Sequence, residues 1–163
     1  MARDAHYFQQ TTLFDSEQVD PVNEARHHAV RLLVNREHSY YELHQKLVQK
    51  GHESDSVTTA LDDLVARGKL SDERFTEMFI TSRVNRGSGP NKIMAELLQK
   101  DVSDTIIFQG LRARRVDWLQ LAEQSRQKKF GSVIPDNYEE KMRQARYLQN
   151  RGFSAEHMPN LFN

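Results

Sequence analysis

Residues 39–51 read Ser39-Tyr40-Tyr41-Glu42-Leu43-His44-Gln45-Lys46-Leu47-Val48-Gln49-Lys50-Gly51, one helix with its own start and stop signals. Ser39, followed three residues later by Glu42, is a capping box in which hydroxyl and carboxylate satisfy orphan amides reciprocally. Leu43 and Leu47 make an i, i+4 apolar stripe. Gly51 after Lys50 supplies the left-handed residue that ends a helix. The pattern then returns about every 50 residues, with Lys50-Gly51 in register with Lys100-Asp101 and Arg151-Gly152. Leu47, Leu97 and Leu148 coincide, as do Val57, Ile107 and Met158, and then Leu61, Leu111 and Phe162. Ala29, Phe79 and, with one residue of slippage, Phe130 share a further slot. Such periodic self-similarity marks a tandem supersecondary unit. Arrays of this kind offer a long surface to another macromolecule in place of one deep pocket.

Outward from this stretch, the chain reads as helices throughout. A first helix over Glu24 to Arg36 turns Ala25, Ala29, Leu32 and Leu33 to one side. A third, from Ser54 or Asp55 to Arg67-Gly68, carries Val57, Leu61, Leu64 and Val65 inward. Ser71 caps the fourth, with Asp72 and Glu73 suited to its positive end, and Phe75, Met78, Phe79 and Ser82 mark its buried face. After the loop Gly87-Ser88-Gly89, Pro90 opens a helix filled by Ile93, Met94, Leu97 and Leu98. Ser103 caps the sixth, which buries Ile106, Ile107 and Leu111. The last unit starts at Asp117-Trp118, runs through Leu119, Leu121 and Ala122 to Phe130-Gly131, continues as a basic helix over Pro135 to Arg151, and closes over Ala155 to Phe162. No run alternates as a strand would. The expected fold is all-α: nine helices in three three-helix units, 24–70, 71–116 and 117–163, stacked into an elongated, curved array behind an acidic tail over residues 1–23.

The chain of 163 residues has no cysteine, which removes disulfide, thiol and cysteine-zinc chemistry. No apolar run is long enough to span a bilayer. Residues Met1 to Gln10 lack the apolar core of a secretory signal, so a cytoplasmic location is expected. The formal net charge of zero conceals an asymmetry. Asp4, Asp15, Glu17, Asp20 and Glu24 face only Arg3 near the start, whereas 14 basic and 8 acidic residues lie between Arg83 and Arg151. Positive charge gathered in one half speaks to the choice of partner.

No catalytic, cofactor or metal signature stands out. Gly68-Lys69 lacks the flanking residues of a phosphate-binding loop. His27 and His28 project about 100° apart on a helix, which is wrong for chelating one ion. The pairs Asp62-Asp63, Asp72-Glu73 and Glu139-Glu140 read as solvated charge or complements to helix dipoles. Lys50, Lys100 and Arg151 likewise suit helix C-terminal ends. That account does not absorb Arg112, Arg114 and Arg115, or Lys128-Lys129, or the series Lys141, Arg143, Arg146. With Arg83, Arg86 and Lys92 they make a candidate surface for phosphate backbones or an acidic protein. Tyr40, Tyr41 and Trp118 are candidates for base stacking or for packing at helix junctions, packing being the stronger reading. Ser39–Lys50 and Ser54–Arg67 could form a helix-turn-helix, but Asp55, Asp62 and Asp63 are poor chemistry for a major groove.

Several stretches resemble the RecX family, bacterial regulators of the RecA recombinase, in its proteobacterial branch. They are Ser39-x-x-Glu42-Leu43-x-x-Lys46-Leu47-x-x-Lys50-Gly51 and Gly68-Lys69-Leu70-Ser71-Asp72-Glu73-Arg74-Phe75. The likeness continues through Phe79-Ile80-x-Ser82-Arg83, Gly87-x-Gly89-Pro90-x-Lys92-Ile93, Asp117-Trp118, Lys129-Phe130-Gly131 and Lys141 to Phe153. Ser71-Asp72 stands where the family often has two aspartates, and Lys100-Asp101 where it has Lys-Gly. The resemblance implies a monomeric, non-enzymatic protein that lies in the groove of the RecA–DNA filament and blocks its extension. It also implies suppression of strand exchange, ATP hydrolysis and repressor co-cleavage by RecA, and weak, sequence-independent binding of single- and double-stranded DNA. The alternative is a DNA-binding protein that acts by competing for DNA. Separately, Gln10-Thr11-Thr12-Leu13-Phe14 resembles the short peptide with which bacterial proteins dock on the sliding clamp.

Overall fold

The left-handed turn anticipated at Gly51 recurs in all three units of the computed structural model, which describes residues 19–162. Gly51 lies at φ +96°, Asp101 at +56° and Gly152 at +96°. Each turn is closed by the amide of the next residue: His52 donates to the Leu47 carbonyl, Val102 to Leu97 and Phe153 to Leu148. Three sequence-equivalent leucines therefore carry the same helix stop.

The helices are α1 (Pro21–Asn35), α2 (Tyr40–Gln49), α3 (Ser54–Ala66), α4 (Asp72–Asn85), α5 (Pro90–Leu98), α6 (Asp104–Arg114), α7 (Trp118–Phe130) and α8 (Tyr138–Asn150). Two short 3₁₀ turns follow, Ala155–His157 and Pro159–Leu161. The fold is all-α among the described residues, but with eight α-helices where nine are expected. The ninth is interrupted because Pro159 cannot donate an amide and forces Met158 out of the helical region, to φ −138° and ψ 51°. The interruption shifts the register by one residue. Leu161 is buried, and Phe162, expected in the apolar slot of Leu61 and Leu111, is 47% exposed. Two starts also move. Asp20 accepts from the Val22 amide and opens α1 at Pro21, inside the expected tail, and Asn137 caps α8, which starts at Tyr138, three residues after Pro135.

Three apolar clusters form the cores. Ala25, Ala29, Leu43, Leu47, Val57, Leu61 and Leu64 belong to the first, closed by Leu70. Phe75, Phe79, Ile80, Ile93, Leu97, Val102 and Ile107 make the second. Ala122, Ala145, Leu148, Phe153, Met158 and Leu161 make the third. Trp118 packs on both the second and the third, the junction role favoured for it, and no described residue is shared between the first and the second. Val65 and Leu98, expected inside, are 48% and 51% exposed. Each sits one residue, hence about 100° of helix, beyond a residue that packs inward.

Arg126 is 1% exposed and serves the third unit alone. It holds Glu123, Gln144 and the carbonyls of Ser132 and Val133, pinning the α7–α8 connection to both helices.

Asp101 is the weak copy of the helix stop. A side chain in the left-handed region is strained, and its carboxylate raises the pKa of Asp72 by repulsion, beneath the larger effect of that residue's burial. Asp101→Gly is expected to stabilise the chain by about 1 kcal/mol, read from urea melts followed by circular dichroism.

Candidate anion-binding cleft

Two junctions join the three units, and both start from the same segment. Val34-Asn35-Arg36-Glu37 ends α1, and Val84-Asn85-Arg86-Gly87 ends α4. At each junction the N-cap residue of a middle helix then meets the C-terminal carbonyl of the next unit's middle helix.

In the first junction Ser39 donates its hydroxyl to the Lys100 carbonyl at 3.2 Å, while accepting from the Glu42 amide at 3.1 Å. The Tyr40 amide donates to Asp72 at 2.8 Å. The capping box is thus only half formed. The Glu42 carboxylate does not return to Ser39; it receives the Arg36 fork at 2.9 and 3.1 Å and Lys100 Nζ at 3.5 Å. Arg74 adds a bond to Glu37 at 2.8 Å. His38, buried beside this network, turns Nδ1 to the Arg36 carbonyl, so Nδ1 must donate and Nε2 accepts from Lys46. Burial also lowers the His38 pKa, which keeps the ring neutral. Burial alone would raise the pKa of Glu42, but the bonds from Arg36 and the charges of Lys100 and Arg36 outweigh it and hold the group at about 2.

The second junction is made of backbone. Gly89 donates its amide to the Arg151 carbonyl at 2.7 Å, and Asn91 donates to that of Gly152 at 3.1 Å. A side chain on Gly89 would meet the Gly152 carbonyl carbon at 2.4 Å, and one on Gly152 would meet Lys92 Cβ at 2.4 Å. Arg151 reaches back with Nε to the Gly87 carbonyl at 2.9 Å and with its terminal nitrogen to that of Arg86. Beside this contact, α4, α7 and α8 enclose a cleft of about 530 Å³. Arg86, Lys128, Lys129 and Arg151 line it, with Asn85, Gln124 and Tyr147 between them, and none of its lining residues is a carboxylate. Among the described residues no carboxylate pairs with any of the four cations. The Arg151 guanidinium also lies 5.7 Å from the centre of the Tyr147 ring. Chemically the cleft is a cationic hollow with hydrogen-bond donors and one aromatic face, suited to an anion.

Three family descriptions match in order along the chain: the first three-helix domain of RecX over residues 25–64, the second over 71–111 and the third over 116–158. The chain belongs to the RecX family. It is 44% identical over 128 residues to a regulatory protein RecX of Halorhodospira halophila, covering 78% of this chain and 80% of that one. A regulatory protein RecX of Pseudomonas fluorescens is 36% identical over 143 residues, covering 88% and 92%. The fold agrees with a crystal structure of RecX from Lactobacillus salivarius at a TM-score of 0.70 and 17% identity, over 88% of this chain and 95% of that one.

Within this RecX fold the ten candidate basic residues part ways. Arg86, Lys128 and Lys129 converge on the cleft. Arg83 does not: it is ion-paired with Glu96 and lies 4.4 Å above the Phe79 ring. Arg143 pairs with Glu140 at 2.8 Å and covers Phe130, so its charge is met internally. Arg112, Arg114 and Arg115 are exposed together at the end of α6, with Arg115 in the left-handed cap at φ +49°. Lys92 is exposed with its Cβ against Gly152, and Arg146 borders a separate hollow with Tyr138, Met142 and Phe162. Arg151, read from sequence as a helix-end cation, belongs to the cleft, as does Tyr147. The repeated Val-Asn-Arg segment was the available signal for both junctions. Of the adjacent histidines, only His28 makes a contact, to His52 at 3.0 Å across α1 and the α2–α3 turn. Gln10 to Phe14 lie outside the described residues.

The ion-pair network at the first junction sets a pH dependence. The Glu42 pKa is lower folded than unfolded, so its contribution is complete above pH 4.5 and fades as pH falls towards 2. Glu42→Gln is expected to cost about 2 kcal/mol at pH 7 and markedly less at pH 3.5, measured by urea denaturation at the two pH values.

Proposed function

We propose that this chain is a non-enzymatic regulator of RecA. It binds in the groove of the RecA–DNA filament, blocks filament extension, and lowers RecA ATP hydrolysis, strand exchange and co-protease activity in recombination and the SOS response. The observation that carries this reading is the ordered match of all three RecX domains, together with close relatives named regulatory protein RecX. Three cores in series support it physically, since stacked units present a surface long enough to touch more than one filament subunit. The exposed arginines at the end of α6 and the cationic cleft at the second junction are the proposed contacts for filament protein and DNA. A cytoplasmic, monomeric protein fits that role, and no described helix is long and apolar enough to cross a membrane.

The cleft also favours a second reading, in which the chain binds DNA without sequence preference and only competes for it. Salt separates the two. Competition should disappear together with DNA affinity as salt rises, because each neutralised phosphate releases counterions. Filament binding should persist at protein ratios well below one per RecA.

The test is RecA ATP hydrolysis on single-stranded DNA with substoichiometric amounts of the chain. Arg112→Glu, Arg114→Glu and Arg115→Glu combined are expected to raise the amount needed for half-inhibition about tenfold with an unchanged helical circular dichroism spectrum. Unchanged inhibition would remove the α6 arginines from the contact surface while leaving the function standing.

A further inference from the structure

The two junctions differ in where their negative charge comes from. In the first, Glu37 and Glu42 meet Arg74, Arg36 and Lys100. One repeat later, Gly87 stands in place of Glu37 and Lys92 in place of Glu42, while Arg86 repeats Arg36 and Arg151 repeats Lys100. Lys128 and Lys129 are added from α7. The second junction therefore keeps counterparts of Arg36 and Lys100, gains two lysines, and lacks both internal counter-ions. Its backbone bonds and the shared Trp118 hold it together, but the cations crowd one cleft with nothing of opposite sign among them. A like-charged concavity of this kind raises the local concentration of anions.

We propose that the cleft is a phosphate-dependent clasp. Neighbouring phosphates of a nucleic-acid strand supply the charge that Glu37 and Glu42 supply in the first junction, and so lock the third unit onto the second. The chemistry favours a strand over an acidic peptide on two counts. Arg86 and Arg151 lie in one cleft with Lys128 and Lys129 and no intervening carboxylate, which suits contiguous negative charge. Tyr147, Asn85 and Gln124 line the same cleft, offering a stacking face and amide hydrogen bonds to a base beside its phosphate. Binding and docking are then linked, because a ligand that prefers the docked junction stabilises it. The clasp deepens the proposed DNA contact of this protein, and it stands or falls without RecA.

The protein carries its own reporter. Trp118 is the single tryptophan, and it bridges the second and third cores. With the full chain at low salt, a short oligothymidylate is expected to change Trp118 emission and raise the melting temperature by about 3 °C. Inorganic triphosphate should do so more weakly. Lys92→Glu places a carboxylate where Glu42 stands in the first junction. It should melt higher than the wild type without ligand and bind oligothymidylate about tenfold more weakly. Lys128→Gln with Lys129→Gln should lose a similar share of affinity with no gain in melting temperature. Lys50→Gln with Lys69→Gln removes the same charge from exposed positions of the first unit outside the cleft, and should leave the emission change in place. Wild-type affinity in Lys92→Glu would overturn the clasp, and so would an equal loss in the first-unit variant. An equal response to polyglutamate would reassign the cleft to an acidic peptide, and a full response to triphosphate with none to oligothymidylate would reassign it to free polyphosphate. Loss of the response with RecA inhibition intact would end the clasp and spare the proposed function.

Discussion

The carbonyls of Lys100 and Arg151, left without helical partners where α5 and α8 end, each accept a hydrogen bond from the N-cap residue of the preceding unit's middle helix. Helix ends always leave such groups over, and a buried one must find a donor. The left-handed residue at Asp101 or Gly152 turns the chain away and leaves the carbonyl open to the neighbour. Ser39 answers with a hydroxyl, and Gly89 with its backbone amide because no side chain fits there. One local rule, applied twice, stacks three small cores that would each be marginal alone.

The repeat was legible because its strongest constraints are local. Leu47, Leu97 and Leu148 are essentially fully buried, and the carbonyl of each accepts the bond that closes its helix stop, so burial and capping select the same residue. Departures appear where one more residue along a helix changes the side that faces solvent, as at Val65 and Leu98. Another departure arose where Pro159 broke a helix that the periodicity alone would continue. The cationic surface was legible as a count but not as a place. The pairing of Arg143 with Glu140 follows from i, i+3 spacing and could have been read. The convergence of Arg86 with Lys128, Lys129 and Arg151 depends on how units stack, which no single helix encodes.

Comparing copies recovers some of that missing information. Between equivalent positions the shared fold keeps the backbone geometry nearly constant, so a change of residue type isolates a change of job. Where Glu42 becomes Lys92, nothing in the helix demands it: the position is helical in both units, half-buried in the first and exposed in the second. The change instead removes the group that, in the first junction, gathers Arg36 and Lys100 into one network.

A charge network satisfied from within is insensitive to what lies outside it, because its cations are already desolvated against their own carboxylates. One left unsatisfied keeps its cations hydrated until a ligand arrives, and only the ligated form gains the attraction. The first junction therefore resembles a fixed joint, and the second a joint whose stiffness depends on what fills the cleft. Both share the same carbonyl contact, so the difference between them is carried by a few side chains laid over a common backbone arrangement. Under the proposed function, in which the chain docks along a filament, this division is an advantage. On the clasp proposed above, the fixed joint sets the spacing of the first two units, and the conditional joint tightens where a polyanion completes it.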